Sequence, residues 1–131
     1  MTATEPAVLL DVADGVGTIT LNRPANRNAL STEIVEGLEA QLDRALADPA
    51  VHVIVLTGNG PVFCAGADLK GRRTVTTGAD ADEVPAFVRI FEKIQAAPKV
   101  VVGKLQGPAL AGGLGLASVC DLTIAADTAT F

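Results

Sequence analysis

The amino-acid sequence predicts an α/β domain. Short runs rich in β-branched residues alternate with stretches whose apolar residues recur at helical spacing. The first two β-type runs flank an Asp-Gly pair, the signature of a hairpin. Hydrophobic residues make up 49% and charged residues 19% of 131 residues, which fits one globular domain with its own core.

Val8 to Val12 and Val16 to Leu21 read as the two strands of the hairpin, and the Thr18-Ile19-Thr20 alternation suits a half-buried strand. Pro24 ends that pattern. Asn28-Ala29-Leu30-Ser31 leads into a helix that Ser31 or Thr32 can cap, with Glu33 in its first turn. Ile34, Leu38, Leu42 and Leu46 recur every four residues, Val35 and Ala45 widen the stripe, and Asp48-Pro49 closes the helix. Val51 to Thr57 is a compact strand. It carries the single histidine, His52, which has no serine, cysteine or carboxylate nearby in sequence to form a relay and reads as a surface side chain. "GNGPVFCAGADLK" is a turn, a short extended piece and a second turn, followed by a polar stretch expected to form a mobile loop over residues 71–82. A helix over Val84 to Gln95 places Phe87, Ile90, Phe91 and Ile94 on one face. Lys99 to Gly103 is the next strand. A small-residue helix then runs through Leu114, Leu116, Ala117 and Val119, and a strand over Asp121 to Ala125 follows. Such an order implies right-handed crossovers between parallel strands.

Composition removes several functions. Four Phe and no Tyr or Trp leave nothing for nucleobases to stack on, and a net charge of −5 without a basic stripe argues against a polyanion partner, so no nucleic acid is expected. Cys64 and Cys120 lie among small apolar residues, as buried free thiols do. One histidine and no cysteine cluster make a structural zinc site a poor expectation. The amino terminus lacks the pattern of a signal peptide and no run approaches membrane-spanning length, so the expected location is the cytoplasm, with no membrane partner.

Two strand-to-loop turns have the same design. Val51–Thr57 runs toward Ala65-Gly66-Ala67, and Lys99–Gly103 toward Ala111-Gly112-Gly113. Small residues after a strand let either another chain segment or a ligand approach main-chain N–H groups, and both readings stand. Two N–H donors from separate loops that met at one carbonyl oxygen would form an oxyanion hole. Neither turn is a nucleotide-binding signature.

"LNRPANRNALS", "IVLTGNGPVFCAGADLK" and "GPALAGGLGLASVCDLTIAADTATF" together resemble the crotonase family, the enoyl-CoA hydratase/isomerase group. The resemblance implies a crotonase-like spiral of ββα repeats, with residues 1–131 forming its amino-terminal portion and ending before a carboxyl-terminal helical region. It implies an acyl-CoA thioester substrate whose carbonyl oxygen is held by the N–H groups of Ala67 and Gly112, so that enolate charge forms between fixed dipoles. Ala65, Gly66, Asp68 and Leu69 would follow the coenzyme A moiety, with Asp68 starting the next helix, and Arg27 matches a position that contacts coenzyme A in some relatives. Coenzyme A enters as the substrate's carrier, and no prosthetic group is implied. Arg72 and Arg73 either meet the coenzyme's phosphates or solubilise a loop, and Asp121 reads as a turn carboxylate. Hydration of a 2,3 double bond is the outcome implied first. Isomerisation or another enolate reaction is the alternative, as is a non-catalytic acyl-CoA or partner-binding paralogue, because Gly115 stands where typical hydratases carry a glutamate. A full-length member would be a homotrimer or hexamer.

Overall fold

The computed structural model describes residues 5–68 and 85–131. Strands β1 (Val8–Ala13) and β2 (Val16–Leu21) form the hairpin, with Asp14 at φ 52° and Gly15 at φ 82°. Two successive left-handed residues match the twist of the strands they join, which is why Asp-Gly suits this turn. β3 (Val53–Gly58), β4 (Val100–Leu105) and β5 (Leu122–Ala125) follow, each parallel to its predecessor, in the spatial order β1-β2-β3-β4-β5. Strand order never reverses, so each crossover advances the sheet by one strand, as in a ββα spiral, and there is no switch-point crevice of the doubly wound kind. The expected α/β architecture is the one found.

The helices are α1 (Thr32–Ala47), α2 (Ala86–Ala96) and α3 (Gly112–Ser118). Ser31 is extended and its hydroxyl accepts the Ile34 N–H at 3.3 Å, so of the two candidate caps Ser31 is the one used. At the other end, Lys99 Nζ donates to the carbonyls of Ala45 and Asp48 at 2.9 and 2.8 Å, which answers groups a helix end leaves unpaired. Ile34, Leu38, Leu42 and Ala45 are buried, but Leu46 is only half-buried. A spacing of four overshoots a helical turn by about 40° per step, so by the fourth step Ala45, and not Leu46, faces the sheet. In α2 Ile90 and Ile94 are buried, while Phe87 and Phe91 sit edge-to-face at 5.8 Å toward the helix's open side. Val84, the expected start of this helix, lies outside the described residues, as does the 71–82 loop.

Strand limits shift by one or two residues for a local reason. Val51 is buried, but its N–H goes to Asp48 O, and the Gly15 carbonyl takes the N–H groups of His52 and Val53, so the ladder begins at Val53. Asp121 is the turn carboxylate expected of it: its side chain accepts the Val101 N–H at 2.8 Å, and its own N–H donates to Val101 O at 2.9 Å. Every residue of β5 is exposed, Leu122 at 62% and Ile124 at 67%.

A 3₁₀ turn over Pro24–Asn26 leads to Arg27 and Asn28, both with left-handed backbones. Asn28 is fully buried. Its Oδ1 accepts the Arg23 N–H at 2.8 Å, and its Nδ2 donates to the carbonyls of Asn59 and Val62, both at 3.0 Å. One amide thus ties the β2–α1 connection to the loop after β3. Asn28→Ala leaves a donor and two carbonyls short of a partner, and it should lower unfolding free energy by about 2–4 kcal/mol in urea denaturation at unchanged far-UV circular dichroism.

Candidate active site

The loop after β3 is wedged between two other segments. On one side Phe63 and Cys64 donate their N–H groups to Pro108 O at 3.0 and 3.3 Å, and Cys64 O accepts the Leu110 N–H at 3.0 Å. On the other, the Ala65 N–H donates to Arg27 O at 3.0 Å and Gly66 O accepts the Leu30 N–H at 2.7 Å. The result is a pair of isolated parallel bridges, Cys64 with Ala109 and Leu30 with Ala67, that stack three successive loops.

Close approach depends on two absent side chains. A Cβ on Gly66, whose φ is +91°, would stand 2.8 Å from Leu110 O and 3.1 Å from the Gly112 nitrogen. A Cβ on Gly113 would overlap the Cys64 carbonyl. Gly112 N is therefore pressed against the residue that precedes Ala67. Among the described residues, no backbone carbonyl accepts the N–H of either Ala67 or Gly112. Ala111, between the bend and α3, has φ 49° and ψ −120°, a conformation an L-residue avoids and that costs about 1–3 kcal/mol.

Both N–H groups border a cavity of about 360 Å³ lined by Leu30, Thr32, Ala67, Asp68, Phe87 and Gly112, with Ser31 and Ala111 completing it. A more polar opening of about 350 Å³ adjoins it, sharing Ser31, Thr32 and Asp68 and adding Arg23, Asn26 and Glu33. The Arg23 guanidinium is held by Glu33 at 3.1 Å and by the carbonyls of Asn22 and Glu5. Asp68 is the one ionisable side chain lining the central cavity among the described residues. Such a cavity offers main-chain dipoles and apolar walls, and little acid–base capacity.

The sequence-predicted residues divide as follows. Ala67, Asp68 and Gly112 line the central cavity, and Gly66 is buried beneath it. Ala65 is half-buried and holds Arg27 through main-chain atoms, while Arg27 itself is exposed and lines neither opening. Leu69, Arg72, Arg73 and the helix expected after Asp68 lie outside the described residues. Leu30, Ser31, Thr32 and Phe87 line the cavity although no sequence motif marks them as site residues; only the bridge from Leu30 to Ala67 brings α1's start there. Burial pushes the thiols of Cys64 and Cys120 up to about 11, the Cys64 shift opposed by a hydrogen bond with the Gly66 backbone. Neither is a thiolate at neutral pH. Among the described residues no three His, Cys, Asp or Glu side chains are grouped to hold a metal, and no helix is long and apolar enough to cross a membrane.

Opposite substitutions should separate strain from space. Gly66→Ala forces both a left-handed alanine and a clash with main chain, and should cost more than about 2 kcal/mol in thermal or urea unfolding. Ala111→Gly relieves strain against a smaller glycine entropy cost, and should gain about 1 kcal/mol.

Residues 11–131 match the family model described as enoyl-CoA hydratase/isomerase. The chain is 41% identical over 122 residues to the probable enoyl-CoA hydratase echA6 of Mycobacterium leprae, covering 91% of this chain and 47% of that protein. Its structure resembles a probable enoyl-CoA hydratase from Mycobacterium thermoresistibile with a TM-score of 0.84 and 39% identity, over 95% of this chain and 52% of the other. It also resembles a monofunctional enoyl-CoA isomerase from M. smegmatis with a TM-score of 0.78 and 29% identity, over 95% and 52% of the two chains. The chain spans about half the length of these relatives.

Proposed function

The chain belongs to the enoyl-CoA hydratase/isomerase family, and from that premise we propose that it forms the thioester-polarising half of an acyl-CoA enzyme. The thioester carbonyl oxygen sits between the N–H groups of Ala67 and Gly112. The observation that carries this reading is the meeting of two main-chain donors, from separate loops, at one cavity wall with no backbone acceptor among the described residues. When a proton leaves the carbon beside the thioester, or a nucleophile adds across a conjugated double bond, charge accumulates on that oxygen. Donors already fixed in place stabilise it without reorganising, and one such donor is worth about 2.7–4 kcal/mol. The Ala111 strain fits this role, because it is the kind of cost a packed framework sustains to aim a main-chain group.

The polar opening beside Asp68 and Asn26 receives the coenzyme A side of the ester, and addition of water to a 2-enoyl thioester is the reaction assigned first. One observation favours a second reading. Gly115 offers no acid or base, and the open side of its Cα faces the Phe91 ring, 3.1 Å from where a Cβ would stand. On that reading the chain shifts a double bond, or binds the ester without turning it over.

Replacing the Gly112 amide by a backbone ester through chemical ligation removes the N–H and adds no bulk. The expected result is a 10²–10³-fold lower kcat with crotonyl-CoA at unchanged fold. Equal turnover would overturn the assignment. The product distribution from crotonyl-CoA against a 3-enoyl-CoA separates hydration from isomerisation, and calorimetric binding without turnover identifies the non-catalytic case.

A further inference from the structure

Thr32, the first residue of α1, lines three openings. Two are the central cavity and its polar neighbour. The third, of about 280 Å³, runs between the amino-terminal halves of α1 and α2 and shares Leu30, Thr32 and Phe87 with the central cavity, so it continues that cavity. Val35 and Ala86 extend its apolar wall, and Glu36, Glu39 and Arg89 supply its charged part. From Thr32 to Glu39 it follows α1 for about 10 Å. Phe87 is fixed against Phe91 in an edge-to-face pair 5.8 Å apart.

We propose that this groove takes the acyl chain of the substrate, and that the protein selects thioesters of uncharged aliphatic acids several carbons long. The inference rests on the reading that a thioester carbonyl lies between Ala67 and Gly112. With the carbonyl there, the two arms of the ester leave through different openings, and their chemistry sorts them. Arg23, Asn26 and Glu33 line the polar one, which suits the hydrogen-bonding coenzyme arm. Leu30, Val35, Ala86 and Phe87 line the other, where a hydrocarbon sheds its water contact. The charged part sets the character of the tail's far end. Glu39 is engaged by Arg89 at 3.6 Å and Lys93 at 3.1 Å, whereas Glu36 is exposed and makes no ion pair among the described residues. A tail ending in a carboxylate meets that uncompensated charge.

Calorimetry with butyryl-CoA, octanoyl-CoA and the CoA monothioester of octanedioic acid tests the proposal on the protein and on Ala86→Phe, which fills the groove. A groove open along one side removes about half of each methylene from water, about twofold in Kd per methylene, so octanoyl-CoA should bind about tenfold tighter than butyryl-CoA. Ala86→Phe should bring the two within about twofold, by the same reckoning. The carboxylate-ended ester should bind more weakly than octanoyl-CoA. Glu36→Arg, on an exposed helix face, should improve that ester's affinity relative to octanoyl-CoA, and it tests the groove by itself if Ala86→Phe fails to fold. Binding of all esters with no preference for octanoyl, or a preference that Ala86→Phe leaves intact, overturns the groove assignment alone. Failure of every ester to bind overturns the thioester reading and this inference with it.

Discussion

The loop over residues 63–67 is held on both edges by main-chain hydrogen bonds, and the geometry around it follows from that clamp. Pro108 and Leu110 grip one edge, and Arg27 and Leu30 the other. The clamp closes only because Gly66 and Gly113 present no side chain where Leu110 and Cys64 pass. Residues far apart in sequence are thereby brought to one wall with their amides as the nearest polar atoms. The chemistry available there is that of fixed dipoles, which need no titration and no side-chain rotamer to be in place.

The sheet supports this clamp from behind. Parallel strands in sequential order bring the ends of β3 and β4 side by side, so the loops that leave them run together. Asn28 joins the earlier β2–α1 connection to the same cluster through the carbonyls of Asn59 and Val62. Gln106 repeats the device from the β4 side, donating to Gly60 O and Val62 O at 3.1 and 3.0 Å. Two side-chain amides converging on one carbonyl hold the loop after β3 in register with both neighbours. The surface salt bridges of α1 with α2, such as Lys93 with Asp43 at 2.8 Å, add little by comparison because they are largely exposed.

Much of the fold was legible because its signals are local. The Asp14-Gly15 turn, the Ser31 cap and the period of α1 each depend on residues within a few positions, and each is found. The Gly-rich turns were legible as places of close approach, but what approaches them was not. That Gly66 faces Leu110 and Gly112, and that Leu30 bridges Ala67, are contacts across long sequence separations that no spacing rule encodes. The same limit hid Thr32 and Phe87 as cavity residues, since on a helical wheel they read as a first-turn residue and a core aromatic. Ala111 gave no signal either, because alanine at a left-handed position is unusual by type, and only the backbone angle reveals it. The family resemblance supplied the pairing of Ala67 with Gly112 that composition alone left open between packing and binding.

The most direct test is the carbonyl stretch of a thioester bound to the protein, read by isotope-edited infrared difference spectroscopy with a ¹³C=O-labelled, non-reacting acyl-CoA. Two amides donating to one oxygen weaken the C=O bond, so the labelled band should move to lower frequency and narrow relative to the ester in water. The shift should be partly reversed when the Gly112 amide is replaced by an ester. A bound thioester whose band stays at its aqueous position would contradict the account, because the oxygen would then feel no more than solvent.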